Sequence, residues 1–386
     1  MVNDVSNSNK GNKIVDYLIL FLLAIPPILE RWEPTHQLYL IFNFLKILFG
    51  IVVLFHSINY KKDSFCWAYI LFIISTLIST VINHGDIRAY GQFVVSTLIV
   101  VFWTQYYITD MEKLKHIYIY FSVLSACDFL SMLLWPEGIL YDDLYRLPIW
   151  LLGTSNYAVP FLICSASISL LFLIEFKRKS AIIGFITSTV AIYMGTAATG
   201  KMAISVIVLF CVFIMIYRGK FVKIPSSLML IGYMFIFFII CIAQNFHQFD
   251  FLVEGILNKD MTMSGRTEIW IMAIDRIFSK PVLGYGIQPM EQMEVLVGHS
   301  HCHDFYLNTG VQSGILGLSF WLASLFIGFK RLGSIPSNIA SIIRISIFAL
   351  MVTFLTESYN YRYMGPLFIL LSFANKSSEI VEFKDI

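Results

Sequence analysis

Three of the chain's eight histidines alternate in the segment His299-Ser300-His301-Cys302-His303-Asp304. In an extended segment alternate side chains share a face, so this spacing would gather three imidazoles together. Such a group suits a metal ion, for which imidazole nitrogen is a common ligand. It suits proton transfer equally well, because imidazole titrates near neutral pH. A solvated polar loop is the third option, and the spacing alone does not choose among them. No carboxylate–histidine pattern elsewhere completes a metal site, so the expected chemistry is metal-independent and uses no cofactor.

Just upstream, Ser264-Gly265-Arg266 precedes a stretch in which Ile269, Trp270, Ala273, Ile274 and Ile277 recur at helical spacing. Glu268, Asp275 and Arg276 lie mostly on the opposite side. This predicts an amphipathic helix lying on a bilayer with Trp270 at headgroup level, or else a lid packed on the rest of the molecule. Pro281 ends it, and Gly284-Tyr285-Gly286 makes a turn.

The elements that must position these groups are membrane spans. The 386 residues are 58% hydrophobic and only 13% charged, with mean hydropathy +0.74. Soluble proteins carry about twice that charged fraction. A soluble globular enzyme and a disordered chain are therefore excluded, and a net charge of +2 gives no footprint for nucleic acid. Twelve apolar runs mark an all-α polytopic membrane protein: roughly 14–29, 38–58, 65–82, 91–108, 114–135, 157–175, 181–198, 202–217, 226–244, 311–328, 338–356 and 363–374. A tight turn at Thr199-Gly200-Lys201 divides the seventh from the eighth. Cys66, Cys127, Cys164, Cys211 and Cys241 sit in apolar runs as packing residues, so no disulfide framework is expected.

With a cytoplasmic N-terminus, sixteen basic residues fall in inner segments and nine in outer ones, as the positive-inside rule requires. The expected organisation is a cytoplasmic tail (1–13), nine spans (14–244), a large outer, periplasmic loop (245–310), three spans (311–374) and a second cytoplasmic tail (375–386). Lys46, Asp128 and Arg344 lie at membrane depth, where ionisable groups are costly unless paired or wet. The inner segments are short and hold no P-loop or G-x-G-x-x-G, which disfavours nucleotide chemistry inside the cell.

The motifs, taken in order, resemble the O-antigen polymerase and O-antigen ligase superfamily (Wzy and WaaL type). They are Gly265-Arg266 with Trp270, Pro281-x-x-Gly284-x-Gly286, and His303-Asp304-x-x-Leu307 ahead of Gly314-x-x-Gly317. Asp304 stands where that family usually has asparagine. Upstream, Arg146 followed by Gly153-Thr154-Ser155-Asn156 looks like the family's loop before a span, and Thr199-Gly200-Lys201 occupies the place of its Thr-x-Ser-Arg. The resemblance covers roughly residues 145–365.

It implies a GT-C-like bundle in a bacterial inner membrane. The implied activity is glycosyl transfer on the outer face from a glycan carried on undecaprenyl diphosphate. Arg266 and Lys201 are then expected to clamp the diphosphate, with Arg146 and Arg362 as weaker members of the cationic set. Asn156 and Asp304 are expected at sugar or phosphate. His303 is the expected base for the acceptor hydroxyl, with His301 as its substitute and Glu357 as the alternative.

The favoured reading is a polysaccharide (O-antigen or capsule) repeat-unit polymerase in lipopolysaccharide or related biosynthesis. Its partners would be the lipid-linked oligosaccharide, the bilayer, a chain-length regulator and a flippase. The rival within the class is a ligase transferring glycan to lipid A core. The rival from another class is a secondary transporter or lipid-linked-oligosaccharide flippase.

Overall fold

A computed structural model describes residues 13–58, 64–142, 146–216, 226–237, 266–335, 337–359, 369–370, 372–373, 376 and 380–382. Among these, the helices in chain order are α1 (Lys13–Leu23), α2 (Ile28–Arg31), α3 (Glu33–Ile58), α4 (Ser64–Ile82), α5 (Ile87–Tyr107) and α6 (Met111–Leu134). After a short hairpin come α7 (Ser155–Ile174), α8 (Ala181–Met194), α9 (Ala198–Ile216) and α10 (Ser226–Phe237). The last four are α11 (Arg266–Ser279), α12 (Met290–Val297), α13 (Phe305–Ser334) and α14 (Asn338–Thr353). Short polar side chains start several of them. Asp86, Asp110, Asp304 and Ser337 each accept a backbone N–H from the first turn that follows, satisfying a donor the helix cannot.

Seven of these helices are long and apolar enough to cross a membrane: α3, α4, α5, α6, α7, α9 and α13. The chain is a multi-pass membrane protein. α8 and α14 are apolar but shorter. The run 14–29 is divided into α1 and α2 by a break at Ala24–Pro27, where two prolines cannot donate the helical hydrogen bond. The twelfth run, 363–374, lies mostly outside the described residues, as do the N-terminal tail and the part of the long loop before Arg266. α7 is the centre of the bundle, buried along most of its length between α6, α8, α9 and α14. α13 packs lengthwise on α4.

The helical architecture agrees with the all-α class expected, with one short hairpin added: β1 (Leu140–Asp142) and β2 (Leu147–Ile149) pair antiparallel, with Leu140 opposite Ile149. Two expectations need correction. The turn between the seventh and eighth runs is at Gly195–Ala197, so Lys201 lies inside the first turn of α9. Secondly, α11 is not a helix lying free on a bilayer through its Trp270 face; it is packed on the rest of the molecule, the second of the two options the sequence left. Ile269, Trp270 and Ala273 are buried against the bundle. The free surface of α11 carries Ile271, Ile274 and Phe278, all exposed, so the helix is apolar on two sides.

α13 begins at Phe305, ahead of the apolar run predicted from 311, and is broken at Gly314 (φ 64°, ψ −172°). The break is filled by the segment after α11. The N–H groups of Tyr285 and Gly286 donate to the carbonyls of Val311 and Gln312 at 2.7 and 2.8 Å, and the N–H groups of Ile315 and Leu316 donate to Pro281 and Val282. The Pro281-x-x-Gly284-x-Gly286 turn thus replaces the bonds that the interrupted helix lost. Only glycine fits the crossing. A Cβ on Gly284 would lie 2.3 Å from the Val311 oxygen, and one on Gly314 would lie 2.2 Å from the Val282 oxygen.

Candidate functional site

A cavity of about 760 Å³ lies at the end of the bundle where α2, the hairpin, α11 and the loop before α13 meet. Five of the expected site residues line it, Asn156, Arg266, His301, His303 and Glu357, together with His299 of the histidine segment. They come from α7, α11, the loop between α12 and α13, and the segment after α14.

Asn156 reaches its place through a fastened turn. The Asp128 carboxylate on α6 accepts the Leu152 N–H at 2.9 Å, and Trp150 bridges to Gly153 just before α7 begins. This gives Asp128, one of the three ionisable residues at membrane depth, a structural partner. Asn156 then donates its side-chain amide to Glu357 Oε2 at 2.9 Å.

Arg266, the first residue of α11, donates from Nη1 to the Thr356 carbonyl. The Thr356 hydroxyl meets Thr199 of α9 at 2.7 Å, so α9, α11 and the end of α14 join at one point. Burial pushes the Arg266 guanidinium below its usual range, and the charges of Glu357 and Tyr359 act against that. Burial also pushes the Glu357 carboxyl up, while Arg266, the Ser358 N–H and Asn156 hold it down.

The histidine loop is not an extended strand. Gly298 (φ 77°) and His303 (φ 49°) are both left-handed, and the turns send His299, His301 and His303 to the cavity side. A non-glycine residue at positive φ is uncommon, and such backbone is held in place by its surroundings. Here those surroundings are visible. Trp270 Nε1 donates to the Cys302 carbonyl at 2.9 Å, the Cys302 N–H donates to Asn308 Oδ1 at 3.3 Å, and Cys302 itself is buried. The ring centroids of the three histidines lie 4.1–5.3 Å apart.

His303 Nδ1 is 4.0 Å from Glu357 Oε1. Burial, then His301, Arg266 and His299, push His303 down to about 2. Burial, then His299 and Arg266, push His301 down to about 4. Both imidazoles are therefore neutral at physiological pH, with lone pairs able to take a proton or bind an ion.

The other expected site residues are placed elsewhere. Asp304 is buried and caps α13 through the Leu307 N–H at 2.7 Å, so its carboxylate is taken up by the fold and does not line the cavity. Burial pushes it up to about 7. Lys201 does not line the cavity either. Arg146 sits exposed at positive φ (53°) beside β2, also away from it. Arg362 lies outside the described residues.

Sequence reasoning passed over Arg31 and Asp142, which line the cavity and pair at 3.0 Å. The only signal for Arg31 was its membership of the outer basic set, and Asp142 had none. Gln288 also lines the cavity, and its place follows from the glycine turn before it.

Residues 183–322 match the family model Wzy_C, described as O-antigen ligase. That stretch runs from α8 into α13 and takes in Arg266, the glycine turn and the histidine loop. The similarity is to ligase- and polymerase-like glycosyltransferases of the membrane as a group. No curated protein matches the chain.

Proposed function

We propose that this protein is a glycosyltransferase using a polyprenyl-diphosphate-linked glycan, and within that class a polysaccharide repeat-unit polymerase. The observation that carries the reading is the convergence of Arg266, His303, Glu357 and Asn156, from four separate parts of the chain, on one cavity. The match to the O-antigen ligase family over residues 183–322, which hold Arg266 and His303 but not Asn156 or Glu357, supports the class.

In this reading the cavity lies at the outer face of a bacterial inner membrane. The donor is the growing glycan on undecaprenyl diphosphate, and the acceptor is the incoming lipid-linked repeat unit. The acceptor hydroxyl attacks the anomeric carbon of the donor, the new glycosidic bond forms, and the bond to the diphosphate oxygen breaks. Diphosphate already leaves well, so positioning and charge stabilisation are the main tasks. Arg266 meets the departing diphosphate. Its far end is fixed on the Thr356 carbonyl, which leaves the guanidinium little reorganisation to do.

His303 takes the proton of the acceptor hydroxyl. Burial above all, with His301, Arg266 and His299 adding to it, makes it a weak base. A bound diphosphate pairs with Arg266, offsets the part of that effect due to the guanidinium and makes the imidazole more basic. Glu357, held by Asn156, faces the developing imidazolium from 4.0 Å. Lys201 and Arg146 have no part in this scheme.

The ligase reading differs only in the acceptor and is favoured by the matching family's being described as O-antigen ligase. Arg266→Ala or His303→Ala in a deletion strain separates the two. Loss of the glycan ladder with a single repeat unit still on the core supports polymerase. Loss of all attached glycan supports ligase or flippase. An unchanged ladder in both variants rejects the site.

A further inference from the structure

We propose that His299, His301 and His303 form a binding site for a divalent transition-metal ion of the zinc class, and that an ion held there takes His303 out of the transfer reaction. The second half rests on His303 being the base; the first does not.

The three imidazoles each offer one ligand nitrogen, and these atoms all lie within 4.8 Å of one another. In a tetrahedral zinc site with bonds of about 2.0–2.1 Å, ligand nitrogens stand about 3.3 Å apart. The rings therefore close on an ion by side-chain rotation of about an ångström, without moving the backbone. That backbone is fixed independently by Trp270, by Asn308 and by the Asp304 cap. The loop is thus a preformed cradle in which three ligands need little ordering.

Each ring also has a nitrogen to give. His299 Nδ1 is engaged with the Ser300 hydroxyl at 3.2 Å, which leaves Nε2 for the ion and orients the ring as an outer partner does in known metal sites. His301 Nδ1 accepts the His303 N–H at 3.2 Å, a long bond that it gives up on binding. His303 Nδ1 is buried and has no hydrogen-bond partner among the described residues. Oε1 of Glu357, 4.0 Å from that atom, stands in reach as a fourth, oxygen ligand, while Oε2 stays with Asn156. Three imidazoles and a carboxylate form a nitrogen-rich set, which selects zinc, copper, nickel or cobalt over magnesium or calcium. Ligation uses the lone pair that proton abstraction needs, so the two events at His303 exclude one another.

The test uses the full chain, purified without a polyhistidine tag in detergent and treated with chelator, then titrated with Co²⁺. The expected result is the visible absorption of tetrahedral Co²⁺ at one equivalent, abolished by Zn²⁺ and absent from His299→Gln and His301→Gln, which elute and unfold as the parent does. Zn²⁺ is then added to a transfer assay. It should inhibit the parent, and its half-inhibitory concentration should rise by about tenfold or more in His299→Gln, each protein measured against its own chelator-treated rate. Absence of Co²⁺ bands in the parent, or equal bands in both histidine variants, overturns the site. Bands without inhibition, or a rate raised by Zn²⁺, overturn the regulatory half. A fully active His303→Ala that still loses the Co²⁺ bands leaves the metal site standing and removes the base assignment instead.

Discussion

Asn156 donates its side-chain amide to the Glu357 carboxylate across 2.9 Å, although 201 residues separate the two in the chain. The sequence suggested Asn156 as a ligand for sugar or phosphate. Its amide is instead directed at the carboxylate that faces His303 from 4.0 Å. One helix start on α7 thereby sets the position of an acid contributed by the segment after α14.

Removing that amide should therefore act through Glu357. Asn156→Ala loses a hydrogen bond to a charged group worth about 1.5–3 kcal/mol, and turnover should fall about tenfold to a hundredfold. Asn156 holds the Glu357 carboxyl down, so its loss moves that carboxyl further up. The acid limb of the rate profile should shift to higher pH. A rate profile unchanged in shape would show that Glu357 does not titrate in the reaction.

Arg266 has two demands on it: the Thr356 carbonyl and the proposed diphosphate. Lysine keeps the charge but cannot serve both through a planar fork. Arg266→Ala should cost about 10²–10³-fold in turnover, as loss of a charge-stabilising donor does elsewhere, and Arg266→Lys should recover only part of it. Initial rates with a synthetic lipid-linked donor provide the measurement.

Asp304 makes the loop before α13 sensitive to pH. Its folded carboxyl is pushed up to about 7, whereas an unfolded one releases its proton near 4. Between those values the unfolded state binds fewer protons, so stability falls as pH rises through the window. Asp304→Asn keeps the cap and removes this loss. Its stability advantage over the parent should grow from about pH 4 to pH 7 and then level off. Asp304→Ala should be about 1 kcal/mol less stable than Asp304→Asn, because it loses the cap. Thermal unfolding across that pH range checks both.

The glycine crossing is a packing device. Gly284→Ala and Gly314→Ala each place a Cβ within 2.3 Å of a backbone oxygen at a positive φ. Left-handed backbone costs a side chain about 1–2 kcal/mol, and overpacking adds about 1–3. A loss of about 2–5 kcal/mol should appear as reduced folded yield and a lower unfolding temperature, even though neither residue touches the cavity. Unaltered stability in both would mean that α13 does not need the crossing.

The helices were legible to the extent that hydrophobic length records them. The runs 38–58, 65–82, 91–108, 114–135 and 157–175 correspond to α3 to α7, because an apolar stretch of span length has few other ways to satisfy its backbone. Breaks were less legible. Gly314 lies inside an unbroken apolar run, and only its crossing with Pro281–Gly286 explains why the helix stops there. The turn at Gly195–Ala197 was misplaced because hydropathy does not change across it.

By itself the sequence determined the class: a multi-pass membrane protein whose polar side chains concentrate in a few segments, since burial in lipid leaves no other arrangement for so apolar a chain. It also marked Arg266, His301, His303 and Glu357 by type and local setting. Only the tertiary structure decided which of the marked residues share a cavity. Asn156 meets Glu357, Asp304 is spent on a cap, Lys201 and Arg146 lie aside, and the unmarked pair Arg31–Asp142 enters. Spacing along a chain fixes local periodicity. Which loop ends meet across a bundle follows from how whole helices pack, and that depends on every buried face at once.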